Sequence, residues 1–316
     1  MLATELFYVF PKLIQNISQL FQLADKYRGS YKDSCPFYCS YSGYQDELLC
    51  AAAWLYKASG EATYLNYVSS NVGWSQTVSE FSWDDKFAGA QTLLAKVANY
   101  NENYVKIFQI SHRRNKKGIK GEFFGGKTNL RRFKSDADSF VCALMPRSSS
   151  LQIKTTRGGL LFTRDSSNLQ YATITFAASQ IKAFAKSQVD YILGNNPMHM
   201  SYMVGYGSKY PTQLHHRGAS IPSIHVHPAK VGCSDGYSTW YSSSKPNPNT
   251  HVGAIVGGPN SNDQFNDARS DYSHLEPTTY MNAAFLGSVA ALLGGSNTEC
   301  FIEQMHINRT SAGDDY

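Results

Sequence analysis

The stretch 194–271 limits the fold most. It is rich in Gly, Pro, Asn, Ser and His, and no hydrophobic period runs through it. Inside a compact domain, a long run without regular structure is usually either functional or disordered. Its aromatic and histidine content argues against disorder. The functional site is therefore expected here.

The rest of the chain carries a helical period. Leu6, Phe10, Leu13 and Ile17, then Leu20 and Leu23, recur at three- and four-residue steps. A second helix is expected over 45–57, with Leu48, Ala52 and Leu55 on one face and Gly60 ending it. Further helices are expected over 61–68, 86–97, 136–144 and 177–192, and a last one over 278–293. Helical pairs joined by loops predict an all-α fold, either an array or a barrel of helical hairpins.

Composition narrows the function classes. No run approaches the 18 or so apolar residues of a membrane span. The N-terminus Met1-Leu2-Ala3-Thr4-Glu5 lacks a basic region and a small-residue cleavage site, so no signal peptide is expected there. The basic run His112 to Lys120 could touch nucleic acid, but no nucleic-acid module surrounds it. It reads as a solvated loop, and no nucleic-acid partner is expected. Of six cysteines, Cys35 and Cys39 are close in sequence; one disulfide is compatible with this, and no second close pair completes a zinc site. With 21 Tyr and 17 Phe, the chain is rich in rings whose flat apolar faces and polar edges suit sugars, although most rings in any protein serve the core.

Two constellations carry chemistry. The first runs from Ser201 through Tyr206 to Leu214-His215-His216-Arg217. Adjacent His and Arg on a Gly-rich loop could hold sugar hydroxyls or steady a carboxylate, or could simply satisfy buried carbonyls. The second, Phe265-Asn266-Asp267-Ala268-Arg269-Ser270-Asp271-Tyr272, continues to Glu276-Pro277-Thr278. Glycoside hydrolysis needs one protonated carboxylic acid and one ionised carboxylate. Pro277 suits a first helical turn and would put Glu276 at a helix N-terminus. That position favours the charged carboxylate, whereas a general acid needs its pKa raised. Glu276 therefore reads either as a cap or as an acid.

These stretches together resemble the family 9 glycoside hydrolases of the plant endoglucanase type. Ala24-Asp25-Lys26-Tyr27-Arg28-Gly29, Tyr41 to Leu48, Phe81-Ser82-Trp83-Asp84-Asp85-Lys86 and Asp190 to Pro197 match the family's style. Both family signatures are present, one over 201–217 and the other over 265–283. The resemblance implies an (α/α)6 barrel of the six-hairpin type with an open cleft for a β-1,4-glucan. It also implies internal hydrolysis of that glucan with inversion. Glu276 would be the general acid, with Asp267 and His215 the other signature active-site positions. Arg217 and Tyr206 would line sugar subsites, and Trp83 would be a stacking platform with Asp84 beside it. A monomer without cofactor or required metal is expected. By family, its setting is the secretory route to the cell wall, with which the sequons at Asn16 and Asn308 are compatible.

The sequence also departs from the family. The Asp-Ala-Gly-Asp motif that activates water is not found near the start, and Ala312-Gly313-Asp314 reads as coincidence. The expectation is a catalytic domain over 1–294 lacking its N-terminal part, with an insertion at about 97–121 and a tail over 295–316. A helix that relatives carry near Thr173-Ile174-Thr175-Phe176 is expected to be missing. The alternative to an active endoglucanase is an inactive carbohydrate-binding remnant. A basic interaction protein acting through Arg113 to Lys120 is a third reading.

Overall fold

The computed structural model describes residues 2–33, 35–36, 39–97, 125–144, 154–178 and 181–294, and beyond the backbone nothing is described for 2–11 and 125–129. The basic run, residues 98–121 of the expected insertion and the 295–316 tail lie outside the described residues. Within them the structure is helical. Among the described residues no strand occurs, and pairing is confined to the isolated bridges Thr155–Leu161 and Met203–Ile255. No described helix is long and apolar enough to cross a membrane. The chain divides into two compact units, Met1–Leu151 and Gln152–Tyr316.

The first unit is built from α1 (Leu2–Lys26), α2 (Gln45–Ser59), α3 (Ala62–Ser70), α4 (87–97) and α5 (Gly125–Leu144). The Leu48/Ala52/Leu55 spacing puts those side chains on the buried face of α2, and Gly60, at φ +72°, stops the helix in the left-handed conformation that glycine adopts without cost. Leu49, Ala53, Val68, Phe87, Leu94 and Phe133 pack into one core. Phe21 of α1 meets it edge-to-face through Tyr64 and Tyr67, with ring centroids 5.7 and 5.0 Å apart. Buried Asp136 of α5 accepts from Ser75 Oγ, Thr77 Oγ1 and Arg132 Nε, which ties α5 to the segment after α3. Cys35 and Cys39 form a disulfide.

The second unit contains α6 (Asn168–Ala178), α7 (Lys182–Ile192), the short helices α8 (Arg217–Ser220), α9 (Cys233–Asp235) and α10 (Tyr272–Leu275), and α11 (Thr279–Leu293). A π-helical turn, Gly236–Tyr241, continues α9. The helix expected over 177–192 is corrected here: it begins only at Lys182, because Ile181 is extended at φ −91°, ψ 94° and caps it. A separate helix, α6, which was not among those expected, runs through Thr173 to Phe176. Its β-branched residues are weak helix formers, but Leu169, Ala172 and Phe176 are fully buried and the helix packs on α11. Tertiary burial overrides local propensity there.

The 194–271 stretch is irregular apart from its short helices, and backbone hydrogen bonds hold it in place. Val204 N–H donates to Ala254 O and Val256 N–H to Tyr202 O, so the segments around 203 and 255 lie side by side. Asn282 of α11 fixes the second segment, donating to Gly253 O at 2.6 Å and accepting from Ile255 N–H at 3.1 Å.

Candidate active site

The backbone that carries the second constellation lies against Gly257 and Gly258. Gly258 N–H donates to His274 O, and Leu169 N–H of α6 donates to Gly257 O. A Cβ on Gly257 would sit 2.5 Å from Ser273 O, so only glycine allows this approach. Gly258 lies at φ +89°, again the left-handed region. Ser273 O in turn accepts from Ser167 N–H. The turn α10 is thereby seated on the α6 end of the unit.

Glu276 follows α10 directly. The structure corrects its expected placement: Glu276 is the C-cap of α10, and α11 starts at Thr279 with Thr278 as N-cap. Pro277 stands between Glu276 and the cap, so Glu276 is not part of the first turn of α11. Its backbone N–H donates to Tyr272 O, while its half-buried carboxylate has no hydrogen-bond partner among the described residues.

Asp267 is the opposite case. Its Oδ2 accepts Thr212 N–H at 2.8 Å and Thr212 Oγ1–H at 2.7 Å, and its Oδ1 accepts Gln213 N–H at 3.0 Å. Gln213 Nε2–H donates to the Asp267 carbonyl at 2.8 Å. Asp267 thus clamps the segment that leads into Leu214-His215-His216-Arg217. His215 N–H then donates to Leu275 O, the residue before Glu276. The two constellations, distant in sequence, are joined at both places.

The extended backbone of His216 (φ −150°, ψ 118°) sends successive side chains to opposite sides. His215 and Arg217 both turn towards Tyr241. His215 Nδ1 lies 2.8 Å from Tyr241 Oη and 2.8 Å from Arg269 O. The Arg217 guanidinium stands 5.0 Å from the Tyr241 ring centroid and 5.3 Å from that of Tyr237, whose ring stacks on Tyr241. His216 faces the other way, with its ring 4.6 Å from that of His251. Its side chain caps α8 by accepting Ala219 N–H on Nδ1. Burial, then the His251 and His215 rings, hold the His216 pKa below its ordinary value.

Tyr206 is exposed in a turn between Gly205 and Gly207, both at positive φ. It stands in the second unit with Glu276, Asp267, His215 and Arg217. Trp83 and Asp84 belong to the first. Asp84 is only 6% exposed, and both its carboxylate oxygens accept Tyr41 N–H, at 3.1 and 3.0 Å. Trp83 is half-buried, and its carbonyl accepts from Lys86 Nζ. Beside them Asp46 accepts Lys86 N–H at 2.7 Å, and burial pushes the Glu47 carboxyl well above the usual range. Burial also pushes Asp85 up to about 6. Among the described residues no group of three or more His, Cys, Asp or Glu is arranged to hold a metal ion.

Arg269 is the residue whose role the sequence did not announce. It is 3% exposed, and among the described residues no carboxylate forms an ion pair with it. Its Nε–H donates to Asn247 Oδ1 at 2.6 Å, Nη1 to the carbonyls of Trp240, Tyr241 and Ser243, and Nη2 to Lys245 O at 2.7 Å. A buried guanidinium with several carbonyl acceptors is a rigid anchor for a loop that has no regular structure.

The family model described as Glycosyl hydrolase family 9 matches residues 11–289. An endoglucanase of Phaseolus vulgaris is 62% identical over 306 residues, covering 89% of this chain and 57% of the relative. Endoglucanase 20 of Arabidopsis thaliana is 58% identical, covering 90% of this chain and 59% of its own length. The chain therefore spans less than two thirds of these relatives. Endoglucanase CelQ of Clostridium thermocellum, solved with cellobiose and cellotriose, aligns with a TM-score of 0.68 at 27% identity, covering 90% of this chain and 45% of CelQ. The endoglucanase of the termite Nasutitermes takasagoensis aligns at 0.65 and 34%, covering 87% of this chain and 57% of that one. The helical (α/α)6 fold class expected from the sequence is the one these structures share. The proteins matched here are endoglucanases, which lends no support to an inactive remnant.

Proposed function

The chain belongs to glycosyl hydrolase family 9, and from that premise we propose that it acts as an endo-β-1,4-glucanase on cellulose-like glucans. The observation that carries this reading is the contrast between the two signature carboxylates. Asp267 is fully engaged by Thr212 and Gln213, whereas Glu276, next to the Leu275 carbonyl that accepts His215 N–H, has a carboxylate without a hydrogen-bond partner among the described residues. A carboxyl group that acts as general acid must be able to reach the glycosidic oxygen, so an unengaged one suits the task.

In this reading Glu276 protonates the leaving oxygen. Arg217 and His215 hold sugar hydroxyls, and Tyr206 offers an exposed ring to a sugar face. Asp267 keeps the His215–Arg217 segment in register with Glu276. Within the first unit, Trp83 would offer a ring to a sugar face, next to Asp84, whose carboxylate accepts Tyr41 N–H. Inversion needs a second carboxylate about 6.5–9.5 Å from the acid, with a water between them. None of the described carboxylates is assigned that role. In this reading the enzyme acts on a cell-wall polysaccharide outside the cell, as a monomer without cofactor.

The test is viscometry of carboxymethylcellulose alongside release of soluble sugar. Internal cleavage predicts a fast fall in viscosity with little soluble product. Soluble sugar released without early loss of viscosity would mean action from chain ends and would reject the endo reading.

A further inference from the structure

His215 Nδ1 has two neighbours at 2.8 Å, the carbonyl of Arg269 and the hydroxyl oxygen of Tyr241. A carbonyl oxygen only accepts, so Nδ1 must carry the proton. The Nδ1–H is then shared between Arg269 O and Tyr241 Oη, and the Tyr241 hydroxyl proton lies towards Arg269 O at 3.4 Å. His215 is left with Nε2 as its lone-pair nitrogen. The same Tyr241 carries the Arg217 guanidinium at 5.0 Å on its ring and packs edge-to-face on the His215 ring with centroids 5.7 Å apart. Tyr241 is itself held in place, since Arg269 Nη1 donates to its carbonyl at 2.8 Å.

We propose that Tyr241 is a positioning residue that braces His215 and Arg217 together, its hydroxyl sharing the Nδ1–H that Arg269 O fixes and so holding the His215 ring, and its ring fixing the Arg217 guanidinium. It need not touch the glucan. The Arg269 carbonyl leaves Nε2 of the neutral ring as an acceptor for a sugar O–H, the Tyr241 hydroxyl keeps that ring in place, and the Tyr241 ring keeps Arg217 a donor in a constant direction. A donor and an acceptor held by one side chain match a sugar hydroxyl pair better than two freely rotating groups do, because ordering them on binding costs entropy. The proposal rests on the glucanase reading for its purpose, although its geometry can be tested without turnover.

The experiment compares the full chain with Tyr241→Phe and Tyr241→Leu by nitrogen NMR of labelled histidine rings and by calorimetric titration with cellotetraose. The unsubstituted chain should show His215 protonated on Nδ1. Tyr241→Phe keeps the ring and should leave His215 protonated on Nδ1 through Arg269 O, but shift the Nδ1 signal as the shared hydrogen bond is lost, with a small loss of affinity. Tyr241→Leu also removes the cation–π contact and should weaken cellotetraose binding about tenfold. Thermal midpoints close to that of the parent identify the variants as folded. His215 protonated on Nε2 in the parent, or unchanged histidine shifts in Tyr241→Phe, would overturn the brace. If the parent fails to bind cellotetraose at all, the glucanase reading fails, and the nitrogen shifts alone decide for or against the brace.

Discussion

One carboxylate oxygen of Asp267 takes both hydrogen-bond donors of Thr212, the N–H at 2.8 Å and the hydroxyl at 2.7 Å. Glu276 makes no such bond among the described residues. Two acids of one signature thus do different physical work, and they should respond differently to substitution.

Asp267→Ala leaves the N–H groups of Thr212 and Gln213 without their acceptor in a partly buried place. The cost should be about 1–3 kcal/mol of stability. Glu276→Gln breaks no hydrogen bond and should change stability by no more than about 0.5 kcal/mol. Denaturant titration of both variants checks this. Equal losses would mean that Glu276 is also a structural group.

Arg269→Lys cannot reproduce the fork that reaches Asn247 and the carbonyls from Trp240 to Lys245. A lysine has fewer donors and no planar geometry. With hydrogen bonds to charged groups worth about 1.5–3 kcal/mol each, the loss should be about 3 kcal/mol or more. The thermal midpoint should fall accordingly, and tyrosine fluorescence should report a loosened Tyr237–Tyr241 pair. A midpoint equal to that of the parent would show that the loop is held by other contacts.

Gly257→Ala places a methyl group 2.5 Å from Ser273 O, a backbone atom that cannot swing away. Overpacking of this kind costs about 1–3 kcal/mol. Because the strained segment carries α10 and Glu276, turnover should fall along with the thermal midpoint. A stable variant with parental turnover would contradict the close seat described for α10.

His216 caps α8 only when Nδ1 is unprotonated, and burial, then its histidine neighbours, lower its pKa below the ordinary 6.5. The unfolded chain therefore takes up this proton first as pH falls. The stabilisation is fully present above about 6.5 and is lost as pH falls through the lower folded value. His216→Asn keeps a cap acceptor without a titrating ring, so its stability profile should be flatter on the acid side. Profiles that superimpose would remove His216 from the account.

Asp85 has the opposite sign. Burial raises it to about 6, with the Asp46, Glu80 and Asp84 charges adding to this against the Phe87 N–H. Its contribution is fully present below the ordinary 3.8 and is lost as pH rises through about 6. Asp85→Asn retains an oxygen for Phe87 N–H, which the carboxylate accepts at 2.9 Å. Its stability should decline less between pH 4 and 6 than that of the parent. An identical decline would place the titration on other groups.

Much of the helical part was legible because its signals are local. Leu48, Ala52 and Leu55 repeat at helical steps, and Gly60 stops α2 where expected. The site region was found because 194–271 has no period. Its internal order was not legible, since it depends on bonds between residues far apart in sequence, such as Arg269 to Asn247 and Asn282 to Gly253. Pro277 misled for a related reason. A proline suits a first helical turn, but here the chain leaves α10 in an extended conformation at Glu276 and only then enters α11. Thr173 and Thr175 hid α6 because their propensity is weak while their burial is complete.

The most direct test of the account is reducing-sugar release from carboxymethylcellulose by the purified chain and by Glu276→Gln at equal concentration. General acid catalysis contributes typically 10²–10⁴-fold, so the account predicts measurable release by the parent and a loss of about that size in the variant, with both proteins equally folded. Release that is unchanged in Glu276→Gln, or a folded parent that releases nothing, would contradict it.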